Sequence, residues 1–255
     1  MRVVTHQDWS ATTCRRNDAA QGPQRLYPTN ATSVEVLQLE LHNDRVDLES
    51  PLRTIASPVE AEVLRVLAGA DTEFGASQVH RLVDSGSAYG VRKALARLSE
   101  TGLVTTTQHG NYSFWRGNRD HVLWPAVQAA VDARQTIIDR LQARLTEHGE
   151  VAAYLYGSFA RRTAGPDSDV DVLVVHPDES PHDAILDIAS DIGEAITTWT
   201  GNVGHVYSAT RSELREALER GEPVALSIRG EAVTVVGPPF GRLLDQLGDG
   251  ESACA

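Results

Sequence analysis

The hydrophobic and polar positions between Ser57 and Gly102 repeat with the 3.6-residue period of amphipathic helices. The segment "SPVEAEVLRVLAGA" opens with Ser and Pro, a common helix start, and "GASQVHRLVDSGS" predicts a short second helix. A third helix is predicted in "SAYGVRKALARLSETGLV", where Val91, Leu95 and Leu98 share one face. The following "LVTTTQHGNYSFWR" alternates around a His-Gly-Asn turn and predicts a β-hairpin. Three helices followed by a hairpin are the layout of a winged helix-turn-helix domain.

A different pattern begins beyond this region. The segment "WPAVQAAVDARQTIIDRLQARLTEHGE" predicts one long connecting helix that ends near Gly149. Strands and helices then alternate, which predicts an α/β domain of about 90 residues. Strands are expected at 151–156, 170–175 and 202–208, and helices from Ser158, over 182–199, from Thr210 and from Glu222.

These patterns predict a two-domain α/β (α+β) chain. We expect a winged helix-turn-helix at 47–120, a connecting helix at 121–149, an α/β domain at 150–240 and a C-terminal tail at 241–255. Residues 1–46 are mixed and aperiodic, which predicts a disordered extension with a short strand in "VEVLQLEL". A wrongly chosen start of translation is an alternative explanation of this segment.

The two predicted domains differ in net charge. The chain has a formal net charge of −12, which argues against broad, non-specific coating of nucleic acid. Between Asp47 and Asp120 there are 8 Arg and Lys against 9 Asp and Glu, a difference of −1. Between Glu150 and Phe240 there are 6 Arg against 15 Asp and Glu, a difference of −9. Only the first region can therefore present a basic face.

The positions of the cysteines and the lengths of the apolar segments indicate the cellular compartment of the protein. The two cysteines, Cys14 and Cys254, lie near opposite ends of the chain, which argues against a disulfide framework. No apolar run approaches the length of a membrane span, and the first residues lack the apolar block of a signal peptide. These features predict a cytoplasmic protein that does not bind a membrane.

Two small residues and two carboxylates stand together in "LYGSFARRTAGPDSDVDVLVV". Gly157 ends an apolar strand and Ser158 opens a short helix, so their junction exposes backbone N–H groups and a hydroxyl that suit a phosphate. Asp169 and Asp171 are two residues apart on the next strand, which places both carboxylates on one face. Such a pair beside a phosphate cradle suits Mg²⁺. The alternative is two solvent-facing aspartates and an incidental turn.

This segment resembles the minimal nucleotidyltransferase domain of the DNA polymerase beta superfamily. The family signature is Gly-Ser followed by Asp-x-Asp, and the likeness covers about 151–237, including the distal "SELREALERGEPVALSIRGEAVTVVGPP". The resemblance implies a short mixed sheet with helices. It also implies transfer of a nucleoside monophosphate from a nucleoside triphosphate, with ATP expected, to a hydroxyl.

The resemblance also implies roles for individual residues. Ser158 and Gly157 would hold the terminal phosphates, and Asp169 and Asp171 would be catalytic ligands of Mg²⁺. Arg161 matches a position where the family often carries Arg, and it is assigned to the nucleotide site. The neighbouring Arg162 replaces a common Gly, which predicts a different turn.

One family feature is absent. The family supplies a third carboxylate from the strand that corresponds to "NVGHVYS", whereas there is no Asp or Glu between Glu194 and Glu213 here. His205 lies on that strand and is a candidate catalytic base, although imidazole is a poor Mg²⁺ ligand. The alternative is a partly buried strand histidine. Loss of the carboxylate would impair catalysis while leaving nucleotide and Mg²⁺ binding intact.

The third predicted helix carries the candidate DNA-binding residues. They are Ser87, Tyr89, Arg92, Lys93 and Arg97, with His109 at the tip of the hairpin. The alternative is a protein-interaction or dimerisation module, in which Arg97 pairs with Glu100 along the helix.

Two functions remain open from the sequence. The first is Mg²⁺-dependent nucleotidyl transfer to a partner protein, as the resemblance to antitoxin members of the family implies, or to a small molecule such as an aminoglycoside. The second is a winged-helix transcriptional regulator that binds a DNA operator and whose C-terminal domain senses nucleotide without turnover. The acceptor, the nucleotide preference, the operator and homodimer formation are all open.

Overall fold

The computed structural model describes residues 45–249, which contain an N-terminal three-helix unit and a C-terminal sheet domain. Cys14, Cys254 and the strand predicted in "VEVLQLEL" lie outside the described residues. The elements are α1 (Pro58–Gly69), β1 (Phe74–Gly75), α2 (Ala76–Leu82), α3 (Ala88–Glu100), β2 (Val104–His109), β3 (Tyr112–Gly117), α4 (Trp124–Val131), α5 (Ala133–Thr146), β4 (Ala152–Tyr156), α6 (Gly157–Arg161), β5 (Val170–His176), α7 (His182–Thr200), β6 (Gly204–Thr210), α8 (Arg211–Glu219), α9 (Pro223–Glu231), β7 (Val233–Val236) and α10 (Phe240–Asp249). A single 3₁₀ turn, Pro51–Thr54, precedes α1.

The N-terminal unit contains the three predicted helices and the predicted hairpin. Val91, Leu95 and Leu98 of α3 are buried against α1 and α2, as their spacing predicted. Strands β2 and β3 pair antiparallel, and the two-residue β1 adds to the outer edge of β3. The assignment of this unit to the winged helix-turn-helix class stays a prediction.

The prediction of a single connecting helix is wrong, because the helix is interrupted at Asp132. Helix α4 ends at Val131 and α5 begins at Ala133. Trp124 and Val127 of α4 are buried in the core of the N-terminal unit, whereas Leu141 and Leu145 of α5 are buried in the core of the sheet domain. Helices α4 and α5 pack in different cores, so one straight helix would not bury both apolar faces.

The sheet domain is built on a short mixed sheet of four strands, as the family resemblance implied, although the sequence predicted only three of them and missed β7. Its order is β6-β5-β4-β7, with β5 and β6 parallel and the other pairs antiparallel. Val170, Val172 and Val174 of β5 pack on the face that α5 and α7 cover. Leu173 and Val175 pack on the opposite face with α8, α9 and α10. Both faces of the central strand are therefore buried, which fixes its register.

Part of the segment predicted as a C-terminal tail is instead helical. Phe240, Leu243 and Leu247 of α10 are buried against the sheet. Their three- and four-residue spacing is that of an amphipathic helix, so burial of this face orders the segment. None of the helices within residues 45–249 has the length and apolar character needed to cross a membrane.

Candidate nucleotide site

The turn from β4 to α6 requires glycine at its first helical position. Gly157 has φ +70°, in the left-handed region that glycine adopts without cost. A Cβ atom at Gly157 would also overlap the carboxylate of Asp171. The turn and the carboxylate are therefore packed against each other, and the missing side chain makes room for an oxygen of Asp171. Ser158, the next residue, is partly exposed.

The two aspartates occupy the positions that the strand period predicted. Asp169 lies directly before β5 and Asp171 lies within it, while Val170 between them is buried on the other face. Burial raises the pKa of the Asp171 carboxyl above its usual value. Positive charge on His205 opposes this rise, and the negative charge of Asp169 adds to it. A cation between the two carboxylates would offset their repulsion.

His205 lies beside both aspartates. It is opposite Asp171 in the parallel pairing of β5 with β6. Its Nδ1 atom is 3.6 Å from Oδ2 of Asp169 and 3.8 Å from Oδ1 of Asp171. About a third of the His205 side chain, 34%, is exposed, so it is accessible to a bound substrate. The geometry is compatible with the predicted catalytic base, and that role stays a prediction.

Arg161 lies at the end of α6 and forms an ion pair with Glu231 at the end of α9. The sequence did not predict that Glu231 pairs with Arg161, because 70 residues separate the two and no local pattern joins them. The negative charge of Glu231 raises the pKa of Asp171, whereas the charge of Arg161 lowers it. Arg162 adopts the left-handed conformation with φ 63°. The turn that would favour glycine is therefore present despite the substitution, contrary to the expected change of turn.

The donor set allows a test of the fit to Mg²⁺. Residues 45–249 contain no cluster of three or more His, Cys, Asp or Glu side chains arranged to hold a metal ion. Mg²⁺ commonly takes only one or two protein carboxylates and completes its shell with water and substrate phosphates. Asp169 and Asp171, whose side chains are 36% and 25% exposed, fit that mode. They do not fit a metal held by protein ligands alone.

The predicted DNA-binding residues divide into exposed and engaged side chains. Tyr89 of α3 is 73% exposed, and Arg92 and Lys93 are exposed on the same helix. The Ser87 hydroxyl instead accepts a hydrogen bond from the Gly90 N–H and so caps the start of α3. These positions leave Tyr89, Arg92 and Lys93 available to a ligand.

Arg97 forms an intramolecular ion pair, and His109 forms an intramolecular hydrogen bond. Arg97 binds Glu60 of α1, not Glu100 as expected, and this interaction lowers the pKa of the Glu60 carboxyl. His109 Nε2 is 2.9 Å from Oε2 of Glu73. Both side chains are half-exposed or more, so these interactions compete with any contact to phosphate.

Three comparisons with known proteins bear on the sheet domain. Residues 135–238 match a family model described as "Nucleotidyltransferase domain". The matched range runs from α5 through β7 and contains every residue of the site. The comparison with curated proteins found no match. A solved structure, "Crystal structure of the toxin-antitoxin with AMP-PNP", is 14% identical and covers 44% of this chain and 86% of its own. Its TM-score of 0.29 is too low to establish a shared fold.

The match to the family model supports nucleotidyl transfer by the C-terminal part of the chain. The family model covers the Gly-Ser turn, both aspartates and His205, and it ends before α10. The three-helix unit lies outside the matched range.

Proposed function

We propose that this chain is a cytoplasmic, Mg²⁺-dependent nucleotidyltransferase that moves a nucleoside monophosphate from ATP to a hydroxyl group. The observation that carries the proposal is the packing of the Gly157 turn against the carboxylate of Asp171. The turn proposed to bind phosphate thus contacts Asp171, and His205 lies within 4 Å of carboxylate oxygens of both Asp171 and Asp169. The match of residues 135–238 to a nucleotidyltransferase domain supports the same chemistry.

Each side chain of the site has a part in the proposed reaction. The Ser158 hydroxyl donates a hydrogen bond to the terminal phosphates, and glycine at position 157 lets the backbone approach them. Asp169 and Asp171 would hold Mg²⁺, which when bound neutralises phosphate charge. Arg161, held by Glu231, adds positive charge at the same edge. The domain thus supplies orientation and charge, the main contributions to phosphoryl-group transfer.

His205 is the proposed proton acceptor. The acceptor hydroxyl gives its proton to His205 while its oxygen attacks the α-phosphorus, and the bond to pyrophosphate breaks. His205 stands where the family resemblance places a third carboxylate, and its Nδ1 atom lies within 4 Å of carboxylate oxygens of Asp169 and Asp171. The products are a nucleotidylated acceptor and pyrophosphate. A partner protein is the proposed acceptor, with a small molecule as the alternative.

A second candidate function is DNA binding by the three-helix unit. Tyr89, Arg92 and Lys93 are exposed on α3, and no ion pair joins Arg92 or Lys93 to another residue in the described part of the chain. In a winged helix-turn-helix this helix meets the major groove. The protein would then regulate an operator while its sheet domain senses nucleotide. The two functions are compatible in one chain.

Thermal unfolding with ATP tests the nucleotide site without knowledge of the acceptor. We expect ATP to raise the melting temperature only when Mg²⁺ is present, because ligand binding stabilises the fold by about 2.7 kcal/mol at a hundredfold excess over Kd. Asp169→Asn should lose most of this shift. Asp187→Asn, which removes an exposed carboxylate from α7, is the matched control and should keep it. An equal shift in the Asp169 variant and the native protein would remove Asp169 from the site.

A further inference from the structure

A groove lined by residues of both the N-terminal unit and the sheet domain lies apart from the nucleotide site. Its volume is about 550 Å³, within the range of small-molecule sites. Arg53 and Arg65 line it from the N-terminal unit, and Arg134 and Arg162 line it from α5 and the end of α6. Neither Asp169 nor any other acidic residue of the nucleotide site lines this groove.

The arginines of the N-terminal wall are already paired. The Glu62 side chain is only 2% exposed and binds Arg53 at 2.9 Å and Arg65 at 2.8 Å. Asp84 also pairs with Arg65 at 2.9 Å, and Asp47 lies 3.6 Å from Arg53. These carboxylates compensate the two guanidinium groups, as buried ion pairs require.

The opposite wall carries two arginines without carboxylate partners among residues 45–249. The Arg134 guanidinium lies 4.3 Å from the centroid of the Phe159 ring and donates a hydrogen bond to the Phe159 carbonyl. Burial lowers the pKa of Arg134, and the positive charge of Arg162 lowers it further. The like charges of the partly buried Arg134 and the exposed Arg162 thus lie close together, which is unfavourable without an anion.

The backbone at Arg162 is a second unusual feature of this wall. Arg162 is the only non-glycine residue with a positive φ in the described part of the chain. Glycine would avoid the strain of this conformation, but it would also remove a guanidinium group from the groove. Strained residues of this kind concentrate at ligand sites, so the position favours a role for the side chain.

We propose that this groove binds a small phosphate-bearing anion between Arg134 and Arg162, separately from the nucleoside triphosphate of the sheet domain. Guanidinium groups present planar donors that match phosphate oxygens, and an anion between them removes their repulsion. The whole lining is neutral, with four arginines against the carboxylates of Asp47, Glu49, Glu62 and Asp84. Recognition of the anion therefore depends on the positions of the two unpaired arginines and not on a net positive charge of the groove.

Calorimetric titration of the full chain with inorganic tripolyphosphate tests the proposal. The titration is done in EDTA, because without Mg²⁺ the carboxylates of Asp169 and Asp171 repel the probe from the nucleotide site. Arg162→Gly removes the guanidinium at a position whose backbone suits glycine, so this variant is expected to fold. Arg162→Lys restores a positive charge. Arg242→Gln, on the exposed side of α10, is the charge-matched control, and Arg161→Gln alters only the nucleotide site.

We expect saturable binding by the native protein and an affinity reduced about tenfold or more in Arg162→Gly. Arg162→Lys should recover most of the loss, and both Arg242→Gln and Arg161→Gln should bind as the native protein does. Three results would overturn the proposal. The first is the absence of saturable binding by the native chain. The second is an equal affinity in Arg162→Gly, and the third is an equal loss of affinity in either control.

Discussion

His205 lies directly opposite Asp171 in the parallel pairing of β5 with β6, and its Nδ1 atom is within 4 Å of carboxylate oxygens of both Asp171 and Asp169. The pairing is set by the core on both faces of β5, so the register fixes the backbone position of His205 opposite Asp171. A histidine thus lies where the resemblance to nucleotidyltransferases would place a third carboxylate. This arrangement makes the role of His205 the first question for experiment.

Replacement of His205 separates proton transfer from nucleotide binding. We expect His205→Asn to lower turnover about a hundredfold or more, because general base catalysis contributes on that scale. Its affinity for ATP with Mg²⁺ should change little, since the two aspartates and Ser158 remain. The control is His182→Asn, which alters an exposed histidine at the start of α7. Native rates of pyrophosphate release in His205→Asn would show that another group accepts the proton.

Gly157 is expected to tolerate no side chain. Gly157→Ala places a Cβ against the Asp171 carboxylate and forces φ +70° on a residue that disfavours it, at a cost of about 1 kcal/mol or more. Binding of ATP with Mg²⁺, measured by calorimetry, should weaken because Asp171 must move. Gly165→Ala is the matched control, since nothing lies within 4 Å of its Cβ position. Equal ATP affinities in the two variants would contradict the proposed contact.

The ion pair between Glu60 and Arg97 makes the stability of the N-terminal unit depend on pH. Arg97 holds the pKa of Glu60 below its usual value, so the pair stabilises the fold above the unfolded pKa of about 4.3. This stabilisation is lost as the pH falls through the lowered folded pKa. Arg97→Gln should therefore lower the melting temperature by a few degrees at pH 7, and the difference from the native protein should close in acid.

Melting curves between pH 7 and pH 3 measure this difference directly. Arg92→Gln is the control, because Arg92 is exposed on the same helix and has no ion pair in the described residues. A destabilisation of Arg97→Gln that stays constant over the whole pH range would assign the effect to lost packing.

Lys93 and Arg97 should differ in their contributions to DNA binding. If α3 contacts phosphates, Lys93→Gln should weaken binding to all sequences and flatten the salt dependence by about one unit. Arg97→Gln should change the slope less, because its guanidinium is already bound to Glu60. Mobility shifts of the fragment upstream of the gene, over a range of salt, measure both slopes. No retardation of that fragment at low salt would remove regulation of its own gene.

Local periodicity predicted much of the fold. Val91, Leu95 and Leu98 repeat at helical spacing, and all three are buried on one face of α3. Asp169 and Asp171 stand two residues apart on a strand, so the alternation of side chains placed both carboxylates together. In each case the spacing of a few neighbouring residues was enough to predict which side chains share a face.

Contacts between distant segments could not be predicted in the same way. Arg97 reaches Glu60 across 37 residues, and Arg161 reaches Glu231 across 70. Each partner alone resembles an ordinary exposed charge. The break at Asp132 was missed for a related reason, since only the presence of two separate cores makes it favourable.

Transfer of radiolabel from ATP tests nucleotidyl transfer most directly. The full chain is incubated with Mg²⁺, a lysate of its native cells, and ATP labelled on either the α- or the γ-phosphate. We predict that α-label becomes attached to an acceptor while γ-label leaves as pyrophosphate, and that Asp169→Asn abolishes both while Asp187→Asn does not. Attachment of γ-label would show phosphoryl transfer instead. No attachment of α-label from ATP, CTP, GTP or UTP, with no release of pyrophosphate, would contradict the proposed activity.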